Sequence, residues 1–111
     1  MKTRQAVQAT RQIDNDQVRV TEYRFSPGSE TTWHQHELDY VVIPQTDGKL
    51  LLIDAEGKES GADLFHGESY YRKAGVEHNV INAGSNELVF IEVEMKAYPI
   101  SPKPRFLHPK A

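Results

Sequence analysis

The chain has 111 residues, a length suited to one domain whose core is large enough to stand without disulfide or metal staples. There are 13 Lys and Arg against 16 Asp and Glu, a formal charge of −3, which gives no electrostatic case for nucleic acid or an anionic membrane as partner. Cysteine is absent, so disulfides, thiolate ligands and cysteine nucleophiles are excluded.

No apolar run approaches the roughly 20 residues of a membrane helix. The segment Met1 to Thr10 lacks the apolar centre of a signal peptide. A soluble, cytoplasmic protein is the expectation. Residues 1–16 are polar around Val7 and Ile13 and read as a frayed or docking N-terminal segment, closed by the turn signal Asp14-Asn15-Asp16. Gln17 to Phe25 alternates, with Val18 and Val20 opposed to Arg19 and Thr21, and predicts a strand. Pro27-Gly28 ends it. Thr31 to His36 is a second strand candidate. Tyr40-Val41-Val42-Ile43 has no charge and predicts a strand buried on both sides. Asp47-Gly48 is a hairpin signal that would pair Leu50–Ile53 back onto it.

Ala55-Glu56-Gly57-Lys58 predicts another turn, and Leu64-Phe65 is a short apolar patch before His66-Gly67. Short strands follow over 69–72 and 77–82. Leu88 to Met95 is the clearest strand, with Val89, Ile91, Val93 and Met95 on one face and Phe90, Glu92 and Glu94 on the other. Residues 97–111 hold four prolines and form neither helix nor central strand. No long segment carries a helical period. Seven or eight short strands with regular turns predict an all-β antiparallel sandwich or small barrel, jelly roll included.

The chemistry concentrates in His34-Gln35-His36. Side chains two apart on a strand share a face, so these imidazoles make half of a metal site. His78 is the natural third ligand, facing the pair across a barrel. Three neutral imidazoles suit a divalent ion: Fe(II), Ni, Zn, Mn or Cu. Three protein ligands leave positions open for water or substrate.

These residues resemble the cupin superfamily. Its first motif runs Gly, five residues, His-x-His, three or four residues, Glu, six residues, Gly. Gly28, His34, His36 and Gly48 stand at that spacing. Its second motif runs Gly, five residues, Pro-x-Gly, two residues, His, three residues, Asn, and is matched by Gly67, Gly75, His78 and Asn82. Lys73 stands where the motif has proline. The motif glutamate is missing, because the two allowed spacings land on Tyr40 and Val41. The resemblance implies a single small cupin barrel, roughly residues 17–96, with a metal held by His34, His36 and His78. A fourth position would be filled by Tyr40, Asp39, Glu37 or water. Tyr40 shares the parity of the histidines and is also the candidate acid–base group. The stretch Tyr40–Pro44 with Thr46-Asp47-Gly48 further resembles a group of stand-alone cupins, some labelled as β-alanine degradation proteins, a label that fixes no substrate.

The remaining candidates carry plainer expectations. Gly28, Gly48, Gly67 and Gly75 are read as turn glycines with positive φ. Asn82 is read as a backbone brace or a residue behind His78. Trp33 and Tyr71 are candidates for a pocket mouth. Glu92 and Glu94 are read as surface charges, with an interior role for Glu92 if that face turns inward. His66 and His108 are expected to be exposed, and Arg105 and Phe106 to dock on a partner subunit. A homodimer is expected from the resemblance and from open sheet edges needing cover. The function expected is that of a metal-dependent oxygenase or isomerase acting on a small carboxylate or carbonyl compound. The rival is a cupin that binds or senses a small ligand without turnover, with or without metal.

Overall fold

Strand pairing distributes the period-two segments between two sheets. The computed structural model describes residues 3–96. Nine strands appear there: β1 Gln8–Asp14, β2 Val18–Phe25, β3 His34–Gln35, β4 Tyr40–Pro44, β5 Gly48–Ile53, β6 Glu59–Leu64, β7 Tyr70–Arg72, β8 Glu77–Asn82 and β9 Leu88–Met95. One sheet has the order β1-β2-β9-β4-β7 and the other β3-β8-β5-β6. Every pair within them is antiparallel. The expected jelly-roll class is what the chain adopts. Among the described residues no helix is long and apolar enough to cross a membrane.

The two inner faces close on each other around Phe25, Val42, Leu50, Leu64, Val80, Leu88 and Phe90, all buried. Burying such side chains contributes roughly 1.5–3 kcal/mol each. Phe90 packs against both Tyr23 and Phe25 with ring centroids 5.5 Å apart. Strand alternation does the sorting. On β9 the even residues face in and the odd residues face out; on β2 the odd residues Arg19, Thr21 and Tyr23 face in.

Several elements differ from their sequence expectation. Of the two expectations for the N-terminal segment, frayed or docking, the docked one describes residues 8–14, as a strand the sequence pattern did not announce. They form β1, hydrogen-bonded along β2 with a bulge between Arg11 and Ile13. All seven of its residues are exposed, so its hydrophobic pattern is too weak to announce a strand. Asp47-Gly48 is not a hairpin turn. β4 and β5 belong to different sheets, and the connection passes from one to the other, with Asp47 Oδ1 accepting the His66 N–H at 2.9 Å. The hairpin partner of β5 is β6. Its turn is built by Asp54, whose Oδ1 accepts the N–H groups of Glu56 and Lys58. β4 alternates between buried Tyr40, Val42 and Pro44 and half-buried Val41 and Ile43, so only one of its faces is fully covered. Thr31 to His36 contains just two residues of regular strand. The tail from residue 97 onward, with His108, Arg105 and Phe106, lies outside the described residues.

Gly28, Gly67 and Gly75 have φ values of 82°, 82° and 104°, the left-handed conformation that glycine adopts without steric cost. Gly48 is different. Its φ is not positive, and a Cβ there would collide with the buried side chain of Leu88. Close packing, not turn geometry, requires the glycine.

Candidate metal centre

Three imidazoles converge at one end of the space between the sheets. β3 and β8 are neighbours in the same sheet, and His34 stands directly opposite His78 in the ladder. His78 therefore meets His34 from the adjacent strand and not from across the barrel. His36 follows β3 and is fixed by two backbone bonds, its N–H to the Val76 carbonyl at 2.9 Å and its carbonyl accepting the Gly75 N–H at 2.8 Å. The positive φ of Gly75 turns the chain to make this second bond before it enters β8.

His34 Nε2 lies 3.0 Å from His36 Nε2, which lies 3.2 Å from His78 Nε2. Nitrogens about 2.05 Å from a shared ion stand about 2.9 Å apart at right angles and about 3.3 Å apart at tetrahedral angles. The observed separations fall between the two. His34 Nδ1 sits 3.0 Å from the Thr32 carbonyl oxygen. That oxygen can only accept, so in the neutral ring Nδ1 carries the proton and Nε2 the lone pair. Burial holds His36 neutral, with its pKa down to about 3, and the neighbouring His34 and His78 reinforce the shift. Burial, then the fields of His34 and Arg72, lowers His78 to about 4. Neutral imidazoles with converging lone pairs are the donor set a borderline divalent ion takes, and these residues fit one.

The other expected ligands are placed as follows. Tyr40 is buried and stacks on the His36 ring, centroids 3.9 Å apart and planes inclined by 18°. Burial and the nearby Glu92 hold its phenol protonated far above neutrality. Glu37 is exposed. The Asp39 carboxylate is occupied by the Tyr71 hydroxyl and by the Ala74 N–H at 2.8 Å. Trp33 and Tyr71 are exposed and absent from the cavity wall. Asn82 is a backbone brace: its Nδ2 donates to the carbonyls of Phe25 and Asn86, and its Oδ1 accepts from Gly84.

The histidines line a cavity of about 540 Å³, a size suited to a small molecule. Its opposite wall corrects one expectation. Glu92 and Glu94 do not face solvent; both point into this cavity, and Glu92 is 6% exposed. A carboxylate oxygen of each lies within 4.8 Å of a His36 ring nitrogen. Burial, reinforced by Glu94 and opposed by Arg19, raises the Glu92 pKa to about 7. Register makes the wall a cross-strand row of Arg72, Tyr40, Glu94 and Arg19. Arg19 pairs with Glu94 at 3.4 Å. Leu88 and Phe90 share the parity of both glutamates and carry the bulk of the core, which is the signal that could have placed the glutamates inside. Thr31, whose hydroxyl lies 3.2 Å from His34 Nδ1, Thr32 and Arg72 had no comparable signal.

Fold and site together define a cupin. The chain belongs to that family: residues 21–94 match the cupin domain. It is similar to the β-alanine degradation protein BauB of Pseudomonas aeruginosa, 59% identical over 87 residues, 78% of this chain and 90% of that protein. Among solved structures it resembles a cupin domain from Bordetella pertussis Tohama I, with a TM-score of 0.83, 52% identity and coverage of 87% of this chain and 100% of that one. A cupin superfamily protein from Desulfitobacterium hafniense DCB-2 shares the fold at a TM-score of 0.64 and 12% identity, covering 86% of this chain and 83% of that one.

Proposed function

We propose that this cupin binds a divalent metal ion through His34, His36 and His78 and acts as an oxygenase or isomerase on a small carboxylate or carbonyl compound. The convergence of the three Nε2 atoms within 3.0 and 3.2 Å steps carries the reading. Likeness to a β-alanine degradation protein supports a carboxylate ligand, since β-alanine itself bears one. A homodimer and a cytoplasmic location complete the proposal.

Bound there, the ion would supply Lewis acidity and open positions for a ligand's donor atoms. The chain's own residues do the rest. Thr32 fixes the tautomer of His34 through its carbonyl. Tyr40 holds a proton on its phenol oxygen and offers it as a hydrogen bond. In the metal-free cavity burial raises the Glu92 pKa to about 7, and its carboxyl stands beside His36, placed to give or take a proton. Val42, Leu50, Leu52 and Val80 give the cavity an apolar wall.

Elemental analysis of purified protein tests the proposal. One divalent ion per chain is expected, lost in His34→Ala and in His78→Ala. Retention of metal in both variants defeats the site. Metal binding with no turnover across small carboxylates and carbonyl compounds transfers the protein to the ligand-sensing class.

A further inference from the structure

Arg72 is the cavity's uncommitted cation. The other four arginines of the described residues each pair with a carboxylate: Arg4 with Glu30, Arg11 with Asp14, Arg19 with Glu94, and Arg24 with Glu22 and Glu87. Among the described residues Arg72 has no ion pair and no hydrogen bond from its guanidinium, although it lines the cavity. Its one specific contact is the Tyr70 ring, whose centroid lies 5.3 Å from the guanidinium carbon. That cation–π contact positions the fork and leaves its five N–H donors available.

Its place in the ladder sets what those donors can reach. Arg72 on β7 is directly opposite Tyr40 on β4, and Tyr40 stacks on His36. Its charge is felt at both His78 and Tyr40. On the other side of β4 stands β9, with Glu92 and Glu94. A carboxylate entering the cavity is repelled from that acidic wall. Arg19 lies on that same wall, 3.4 Å from Glu94, and its Nε has no hydrogen-bond partner among the described residues; a carboxylate approaching it meets Glu94 and Glu92, whereas Arg72 has no carboxylate beside it. The orientation of an anionic ligand is therefore decided by charge.

We propose that Arg72 is the carboxylate-binding residue of this cavity, and that its ligand is a short-chain monocarboxylate held with its carboxylate on the Arg72 guanidinium and its remaining functional group facing the three Nε2 atoms. This deepens, and for the orientation rests on, the metal-centre reading above. A guanidinium and a carboxylate match as two parallel charge-assisted hydrogen bonds, a geometry lysine cannot reproduce. Arg72 is at the exposed end of β7, so the pair is partly screened and weakens with salt.

Calorimetric titration of propionate and its neutral counterpart propionamide tests the assignment, on metal-loaded and on chelator-treated protein. Metal content is measured alongside in wild type, Arg72→Lys and Arg72→Gln. Propionate is expected to bind wild type more tightly than propionamide, with affinity falling on added salt. In Arg72→Gln propionate affinity should fall about tenfold, the lower end for a charge-assisted pair, with Arg72→Lys between. Propionamide affinity and metal content should not change. The proposal is overturned if propionate fails to bind wild type, binds no better than propionamide, or binds Arg72→Gln unchanged. Metal missing from wild type defeats the metal reading instead. The Arg72 dependence of propionate binding to metal-free protein is then what upholds or overturns this assignment.

Discussion

His34 Nδ1 lies 3.0 Å from the carbonyl oxygen of Thr32, and Thr32 holds a φ of 74°. The two facts are linked. Left-handed backbone two residues before the histidine turns that carbonyl back toward the ring. A β-branched residue pays roughly 1–2 kcal/mol for the conformation. No hydrogen bond of the Thr32 hydroxyl compensates among the described residues. Thr32→Gly should relieve the strain and keep the carbonyl, offset by about 0.5–1 kcal/mol of extra unfolded-state entropy. Thermal melts are expected to show unchanged or slightly raised stability, with full metal content. A fall above about 1 kcal/mol would mean that the threonine side chain itself supports the loop.

Tyr40 separates two roles that the sequence left open. A ring stacked 3.9 Å from His36, with its phenol held protonated, is arranged to donate a hydrogen bond. Tyr40→Phe keeps the stacked ring and removes only the hydroxyl. Metal affinity should stay within about threefold of wild type, whereas losing a ligand or a ligand-orienting group costs 10–100-fold. A drop of that larger size, followed by competition with a metal indicator, would make the phenol a ligand.

Gly48→Ala is expected to destabilise by about 1–3 kcal/mol, the cost of overpacking a filled core. The added methyl meets Leu88, which is 0% exposed and has nowhere to go. Urea unfolding measures the change. An effect under about 0.5 kcal/mol would show that the β4–β5 crossing yields easily.

Period-two alternation made most strands legible: β2 buries Thr21 and Phe25 on one face alone, and β9 turns Leu88, Phe90 and Glu92 inward, although Val89 on its other face is buried as well. It missed β1, whose residues are all exposed, and β6, where only Leu64 is buried. His34, His36 and His78 were legible from type and spacing. What surrounds them was not. Arg72 and Tyr40 are 32 positions apart in the chain and become neighbours through β4–β7 pairing alone. Asp47-Gly48 misled because a local turn signal carries no information on which sheet the next strand joins. Gly48 stood at its expected spacing for a reason, contact with Leu88, that no local pattern encodes.

The proposed homodimer has a face to use. On the outer side of the five-stranded sheet, register aligns Ile13, Val20, Val93, Val41 and Tyr71 in one row across all five strands. Ile13 and Tyr71 at its ends are 46% and 51% exposed. A contiguous apolar stripe of this kind marks an interaction surface. Sedimentation at about 10 μM, a concentration at which micromolar dimers persist, should give a dimer for wild type and a monomer for Ile13→Asp. Because Ile13 is half in solvent, the substitution leaves the fold intact. A wild type that sediments as a monomer would end the dimer proposal.

Glu92 should make stability depend on pH in a direction opposite to that of the histidines. Its pKa is about 7 folded against 4.5 for the ordinary group, so the native state binds the extra proton between those values. Its contribution is fully present below pH 4.5 and is lost as pH rises through 7. His36 and His78 are lowered to about 3 and 4. Their neutral burial costs stability at acid pH and ceases to do so as pH rises past 6.5. The two effects overlap and partly cancel in wild type, so the total curve is uninformative. Glu92→Gln removes one of them. It keeps the shape facing His36, Glu94, Arg19 and the three cavity tyrosines, but carries no charge at any pH. On metal-free protein the variant should gain on wild type by up to about 2.5 kcal/mol between pH 5 and pH 8, most of the linkage value for this shift. Urea unfolding of both proteins at the two pH values reads that difference directly. A gap that stays flat across the window would mean that Glu92 is ionised at ordinary carboxylate pH and that water reaches it inside the cavity.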